Sequence, residues 1–92
     1  MRTEKEIKAE VKGLEAIKSN PKFRRYSAFG DDHFRSIEIQ KAVLQNDWDI
    51  DDIDERYSDS DQHSIAYDTL QWKEGKDVDE TPTGGWKCLI RE

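Results

Sequence analysis

Ile7, Val11, Leu14 and Ile17 recur at intervals of three and four residues, the period of one helix face. Ahead of that stripe, Thr3 and Glu6 stand at the spacing of a capping box, in which the threonine hydroxyl and the glutamate side chain satisfy each other's backbone N–H. Asn20-Pro21 closes the stripe, because the residue before a proline is driven out of the α region. The pattern predicts a helix over about 3–19. Gly13 lies in its middle and costs about 1 kcal/mol relative to alanine. It either admits a neighbour to close range or is merely tolerated.

Lys22 to Gly30 reads as a linker with Phe23, Tyr26 and Phe29 anchored on the core and Arg24 and Arg25 in water. Gly30-Asp31-Asp32 is a loop and N-cap signal. The helix it opens, over about 32–46, carries two apolar stripes. One is Phe34, Ile37 and Leu44, the other Ile39, Val43 and Ala42. A helix greasy on two sides is sandwiched between neighbours, so this one is expected at the centre, with a homodimer contact on the second stripe as the alternative. Asp49 caps a short helix in which Ile50, Ile53 and Tyr57 share a face. Ser58 to Asp61 is a turn leading into a last helix over about 61–74, whose inner side is Ile65, Ala66, Thr69, Leu70 and Trp72. Gly75 is its C-cap. Residues 75–85 mix charge, proline and glycine without period and read as a flexible loop. In residues 86–92, Trp86, Cys88 and Ile90 alternate with Lys87 and Leu89, the pattern of an extended tail or short strand.

The expected fold class is therefore all-α: a small bundle of three main helices plus one short helix, with an extended C-terminal tail, in a single domain spanning residues 1–92. Its expected core is Ile7, Val11, Leu14, Ile17, Phe34, Ile37, Val43, Leu44, Ile53, Ile65, Leu70 and Trp72. Only 34% of the residues are hydrophobic against 39% charged, so the core is small. The nine aromatics compensate, since each buries on the order of 150–250 Å².

Most specific chemistries fail on spacing. The run Asp47-Trp48-Asp49-Ile50-Asp51-Asp52 suggests calcium, but an EF-hand loop needs glycine at its sixth position and glutamate at its twelfth. Neither register supplies them. One cysteine, Cys88, excludes an intramolecular disulfide and a cysteine-based zinc site. No motif surrounds Cys88, His33 or His63 to make a nucleophile, and Gly84-Gly85 lacks the spacing of a phosphate loop. A protein that is not an enzyme and needs no cofactor or metal is expected. A helix-turn-helix reading is open, but its recognition helix would carry Asp61, Asp68 and Glu74 against Lys73 alone. Phosphate neutralisation supplies much of DNA affinity, so direct nucleic-acid binding is disfavoured despite the small basic cluster of Lys22, Arg24 and Arg25. The amino-terminal MRTEKEIKAEV has no apolar run, and no stretch suits a bilayer, so a cytoplasmic protein is expected, as monomer or homodimer.

Charge is segregated. Residues 1–46 hold ten Lys/Arg and seven acids, a net +3, whereas residues 47–92 hold five and fourteen, a net −9. The densest part is Asp47, Asp49, Asp51, Asp52, Asp54, Glu55, Asp59 and Asp61, opposed only by Arg56. Like charges repel and weaken the compact state, so folding gives no evident reason to gather them. With Trp48 and Tyr57 as aromatic anchors, these residues are expected to meet a basic protein surface. The competing reading is that they only confer solubility.

The segment Arg25-Tyr26-Ser27-Ala28-Phe29-Gly30-Asp31-Asp32-His33, with the leader Met1-Arg2-Thr3-Glu4 and the acidic stretch, resembles a group of small uncharacterised acidic bacterial proteins, some associated with phages or other mobile elements. The likeness covers roughly residues 1–74. No activity, cofactor or functional residue comes with it. It implies a bacterial or phage accessory protein, a setting in which many inhibitors of host nucleases or defence systems are small and acidic.

Overall fold

Thr3 caps the first helix as its spacing predicts: its Oγ1 accepts from the Glu6 N–H at 3.2 Å, and the Glu6 carboxylate accepts from the Thr3 N–H at 3.4 Å. The computed structural model describes residues 1–27, 32–76, 78 and 80–90, without the side chains of 25–27, 32 and 88–90. These residues form α1 (Glu4–Lys18), α2 (Pro21–Ser27), α3 (Asp32–Gln45), α4 (Ile50–Arg56), α5 (Ser60–Lys73) and α6 (Gly84–Ile90). There is no strand among them. α1, α3 and α5 are the main helices of an all-α globule, and none of the described helices is long and apolar enough to cross a membrane.

The two stripes of α3 decide the packing. α3 lies between α1 and α5. Ile37 and Leu44 join Leu14, Ile17, Phe23 and Trp72 in one buried cluster. Ile39 and Val43 join Ile53, Ala66 and Leu70 in a second. The second stripe is thus covered within the chain by α4 and α5. Each such aliphatic or phenyl side chain contributes about 1.5–3 kcal/mol on leaving water. The remaining expected core residues, Ile7, Val11, Phe34 and Ile65, are partly buried at the cluster edges.

α5 ends as Gly75 predicts. At φ 87° Gly75 adopts the left-handed conformation, its N–H reaches the Trp72 carbonyl at 3.0 Å, and the Lys76 N–H reaches Gln71 at 3.1 Å. This pair of bonds is the Schellman closure. The last helical residue, Lys73, is buried. Its ammonium donates to the carbonyls of Val43 at 3.1 Å and Asn46 at 2.6 Å, at the C-terminal end of α3. Arg2 does the same for α5: its backbone N–H donates to the Lys73 carbonyl at 2.9 Å and its Nε to the Trp72 carbonyl at 3.1 Å.

Three expectations need correction. Residues 21–27 form α2 and not a linker. Pro21 occupies a first-turn position that costs it nothing, and the Asn20 side chain accepts from the Lys22 N–H at 2.9 Å. Phe23 is fully buried and Arg24 exposed, as expected. Phe29 lies outside the described residues, and so does the Tyr26 side chain. Second, the C-terminal tail is not extended: Gly84–Ile90 is helical. Thr81 starts it by accepting from the Gly84 N–H at 3.1 Å, and the Trp86 indole turns inward onto Phe23, edge to face at 5.6 Å. Part of the segment expected as a loop is therefore docked. Pro82 and Thr83 are buried, Gln40 Nε2 donates to the Pro82 carbonyl at 3.3 Å, and the Thr83 hydroxyl donates to Glu10 Oε2 at 2.9 Å. Glu10 Oε1 is buried without a partner among the described residues. Third, Ile50 is not on the buried face of α4 but 40% exposed, because it opens a two-turn helix whose contact with α5 is made by Ile53.

Gly13 has a partner after all. A Cβ there would stand 2.8 Å from the Thr83 methyl, a methyl fixed in place by the Thr83–Glu10 bond. Gly13→Ala should therefore destabilise the protein in thermal melts, although alanine is the better helix former. Combined with Thr83→Ser, which removes the methyl, the same change should turn stabilising by up to about 1 kcal/mol. Lys73→Met keeps the aliphatic stem but leaves the α3 carbonyls unsatisfied. It should cost about 2–3 kcal/mol in denaturant titration.

Candidate interaction surface

The acids of residues 47–61 do not form one uniform patch. Asp49 is the N-cap of α4, and with Asp52 it makes a capping box: the Asp52 N–H donates to Asp49 Oδ1 at 3.1 Å, and the Asp49 N–H to Asp52 Oδ2 at 3.0 Å. Asp59 is the N-cap of α5 and accepts from the N–H groups of Asp61 and Gln62 at 3.0 and 3.3 Å. Asp51 and Asp61 lie in the first turns of these helices, where the macrodipole favours anions by about 0.3–1 kcal/mol each. Much of this clustering thus has a folding reason, contrary to the sequence reading: two helices begin within eleven residues of one another.

Trp48 and Tyr57 are likewise partly committed. Both are half-buried against the second apolar cluster, with their rings edge to face at 6.2 Å. Burial raises the Tyr57 hydroxyl above the ordinary tyrosine pKa, with the Arg56 guanidinium pulling the other way. Arg56, the only cation in the region, lies 4.4 Å above the Trp48 ring and forms no ion pair among the described residues.

What is left faces solvent. Asp47, Asp51, Glu55 and Asp61 are exposed and enter no ion pair among the described residues. Asp54 is also exposed, and its Oδ1 lies 2.5 Å from His63 Nε2, tying α4 to α5. One turn beyond His63, Tyr67 stacks on the imidazole at 6.2 Å and 15° and is 41% exposed. One turn before Asp54 stands the exposed Ile50. Ile50, Asp54, His63 and Tyr67 therefore make a strip across α4 and α5, apolar or aromatic at each end and acid-flanked throughout. The sequence reading missed Ile50, His63 and Tyr67 as surface residues. For Tyr67 the signal was present, since it falls outside the inward stripe of α5.

As a reaction centre this strip is incomplete. No hydroxyl or thiol among the described residues is hydrogen-bonded to His63. Nor do three or more His, Cys, Asp or Glu side chains converge to hold a metal ion among them. His33 is half-buried beside Phe23 and Trp86, with ring centroids at 6.0 and 5.7 Å. Comparison with family models, with curated proteins and with solved structures finds no match.

The division between capping and free acids is measurable. Asp49→Ala and Asp59→Ala should each lower stability by about 1 kcal/mol, whereas Asp47→Asn and Glu55→Gln should stay within about 0.5 kcal/mol of the parent. The raised Tyr57 pKa has a definite sign as well. Its neutral form is favoured by folding, so that contribution is intact below the unfolded tyrosine pKa of about 10 and lost as pH rises through the folded value. In a spectroscopic tyrosinate titration the Tyr57 hydroxyl should ionise above the ordinary tyrosine value, and Tyr57→Phe should remove that step.

Proposed function

We propose that this protein is a non-enzymatic acidic interaction module that binds a basic protein surface through the α4–α5 face. The observation that carries the reading is the strip from Ile50 to Tyr67, exposed apolar ends set among carboxylates of which Asp47, Asp51, Glu55 and Asp61 enter no ion pair among the described residues and Asp54 meets only His63. Aromatic side chains with a polar edge are frequent interface anchors. Unpaired acids around them steer a basic partner and raise the association rate. The segregation of charge, net −9 in the second half of the chain, supports a cationic partner over nucleic acid, whose phosphates the acidic α5 would repel. A phage or mobile-element accessory protein that covers a nuclease or another defence protein of the host is the setting that suits such a surface, and the resemblance of residues 25–33 supports it. Acids on α4 and α5 then stand in for phosphates. Asp47, Asp51, Asp54, Glu55 and Asp61 supply charge, and Ile50 and Tyr67 supply contact area. The caps Asp49, Asp52 and Asp59, with Trp48 and Tyr57, hold the surface in shape.

The test replaces Asp51, Asp54 and Asp61 by Asn and Glu55 by Gln together, leaving the three caps in place. The partner is the basic protein retained from nuclease-treated bacterial lysate. Its affinity should fall at least about tenfold, and the remaining binding should depend less on salt. A variant that folds and binds with unchanged affinity and salt dependence shows the acids to be solubilising only.

A further inference from the structure

A cavity of about 650 Å³ lies between α3, α5 and the segment leading into α6, within the range of small-ligand sites, roughly 300–1,000 Å³. Its uncharged polar side chains are already engaged. Gln40 Oε1 accepts from the Trp86 indole at 2.7 Å, and Gln40 Nε2 donates to the Pro82 carbonyl. Thr69 Oγ1 donates to the Ile65 carbonyl at 2.9 Å, and Thr81 Oγ1 accepts from the Gly84 N–H. Two carboxylates of the lining remain, Asp68 from α5 and Glu80 from the segment before α6. Neither enters an ion pair or a side-chain hydrogen bond among the described residues, and both are exposed. The charged groups left to meet a ligand are thus acceptors. Trp86 adds an aromatic wall, its indole held by the bond to Gln40 and by edge contacts with Phe23 and His33.

We infer that this cavity receives the guanidinium of an arginine side chain carried by the basic partner, an assignment that rests on the proposed function. The Thr81 hydroxyl also pairs with Thr83 Oγ1 at 3.4 Å, so the second hydrogen of Gln40 Nε2 is the one side-chain donor left over among the described lining residues, and the two carboxylates repel an anionic ligand. Arginine suits the combination better than lysine. Its planar fork makes paired hydrogen bonds to carboxylates, it stacks on indole, and it is more weakly hydrated than an ammonium. Position supports the same occupant. Asp68 lies seven residues, two turns, beyond Asp61 and next to Tyr67, so the acids of α5 lead from the α4–α5 face to the cavity rim. One arginine anchored here gives the partner a fixed orientation, which diffuse charge on the outer face does not provide.

The experiment titrates the intact protein with N-acetyl-arginine amide and follows the three tryptophan indole N–H signals by NMR. The controls are N-acetyl-citrulline amide, an uncharged near-isostere, and N-acetyl-lysine amide. The Trp86 signal should move saturably with the arginine probe, with affinity at least about tenfold above that for citrulline, and lysine should bind more weakly than arginine. Asp68→Asn with Glu80→Gln, both at exposed positions, should leave the spectrum folded and abolish the shift. Equal binding of citrulline overturns the assignment, as does tighter binding of lysine or the absence of a saturable Trp86 shift. Movement of Trp48 alone places the cation on the α4–α5 face, which sinks the cavity proposal and leaves the proposed function standing. If the four-site variant binds the captured partner unchanged while the arginine probe still titrates Trp86, the proposed function fails and the cavity remains a guanidinium site.

Discussion

The buried Lys73 ammonium is the tie on which this fold turns. The end of α3 leaves carbonyls that its own backbone cannot satisfy, and those of Val43 and Asn46 are met by one cation from α5. A positive charge at a helix C-terminus is favoured by the macrodipole, so the ammonium sits buried without a carboxylate partner among the described residues. The bond also sets how far α3 slides against α5. That register places Ile39 and Val43 against Ala66 and Leu70 while Ile37 and Leu44 turn toward α1. α5 is finished by the same device from the other end of the chain, where Arg2 meets the Trp72 and Lys73 carbonyls and stacks over the Trp72 ring at 5.1 Å. Two cations in series thus connect residue 2, α5 and α3.

The acidic region shows how one composition serves two ends. Closely spaced helix starts need capping oxygens, and aspartate supplies them at Asp49, Asp52 and Asp59. The other acids are not needed for that purpose. They make a surface whose charge exceeds what local structure requires, and whose shape is fixed by the caps beside them. Separating the two groups narrows a ten-residue candidate site to five acids, and it brings in Ile50, His63 and Tyr67 as neighbours.

The main helices were legible because caps and apolar period agreed at the same boundaries, as at Thr3 and Glu6 or at Gly75. The central place of α3 was legible from its double stripe. Features that depend on distant partners were not. Lys73 reads as a surface residue because its long stem hides what its head will meet. The helical state of Gly84–Ile90 is concealed by its two glycines and by a run too short to display a period; Trp86 packs inward only because Phe23 and Gln40 wait there. Ile50 has the composition of a core residue, yet tertiary contact on α4 reaches only as far as Ile53. The cavity at Asp68 and Glu80 joins residues twelve apart in sequence through a chain reversal that no local pattern announces.

The docking of α6 has a consequence for how the molecule comes apart. This helix packs mainly on α1 and α2 and reaches α3 through Trp86, at Gln40 and His33, outside the α3–α5 contact that Lys73 secures. Its attachment runs through a few side-chain bonds, at Gln40 and at Glu10, and the second of these leaves a carboxylate oxygen buried without a partner among the described residues, a cost of about 1–3 kcal/mol where it stays unmet. Native proteins open in cooperative units of unequal free energy. On these contacts the amides of residues 81–90 should exchange with solvent before those of α3 and α5. Each such opening would strip the indole from Phe23 and take one wall from the Asp68 cavity, so a ligand held there would also favour the closed C-terminal helix.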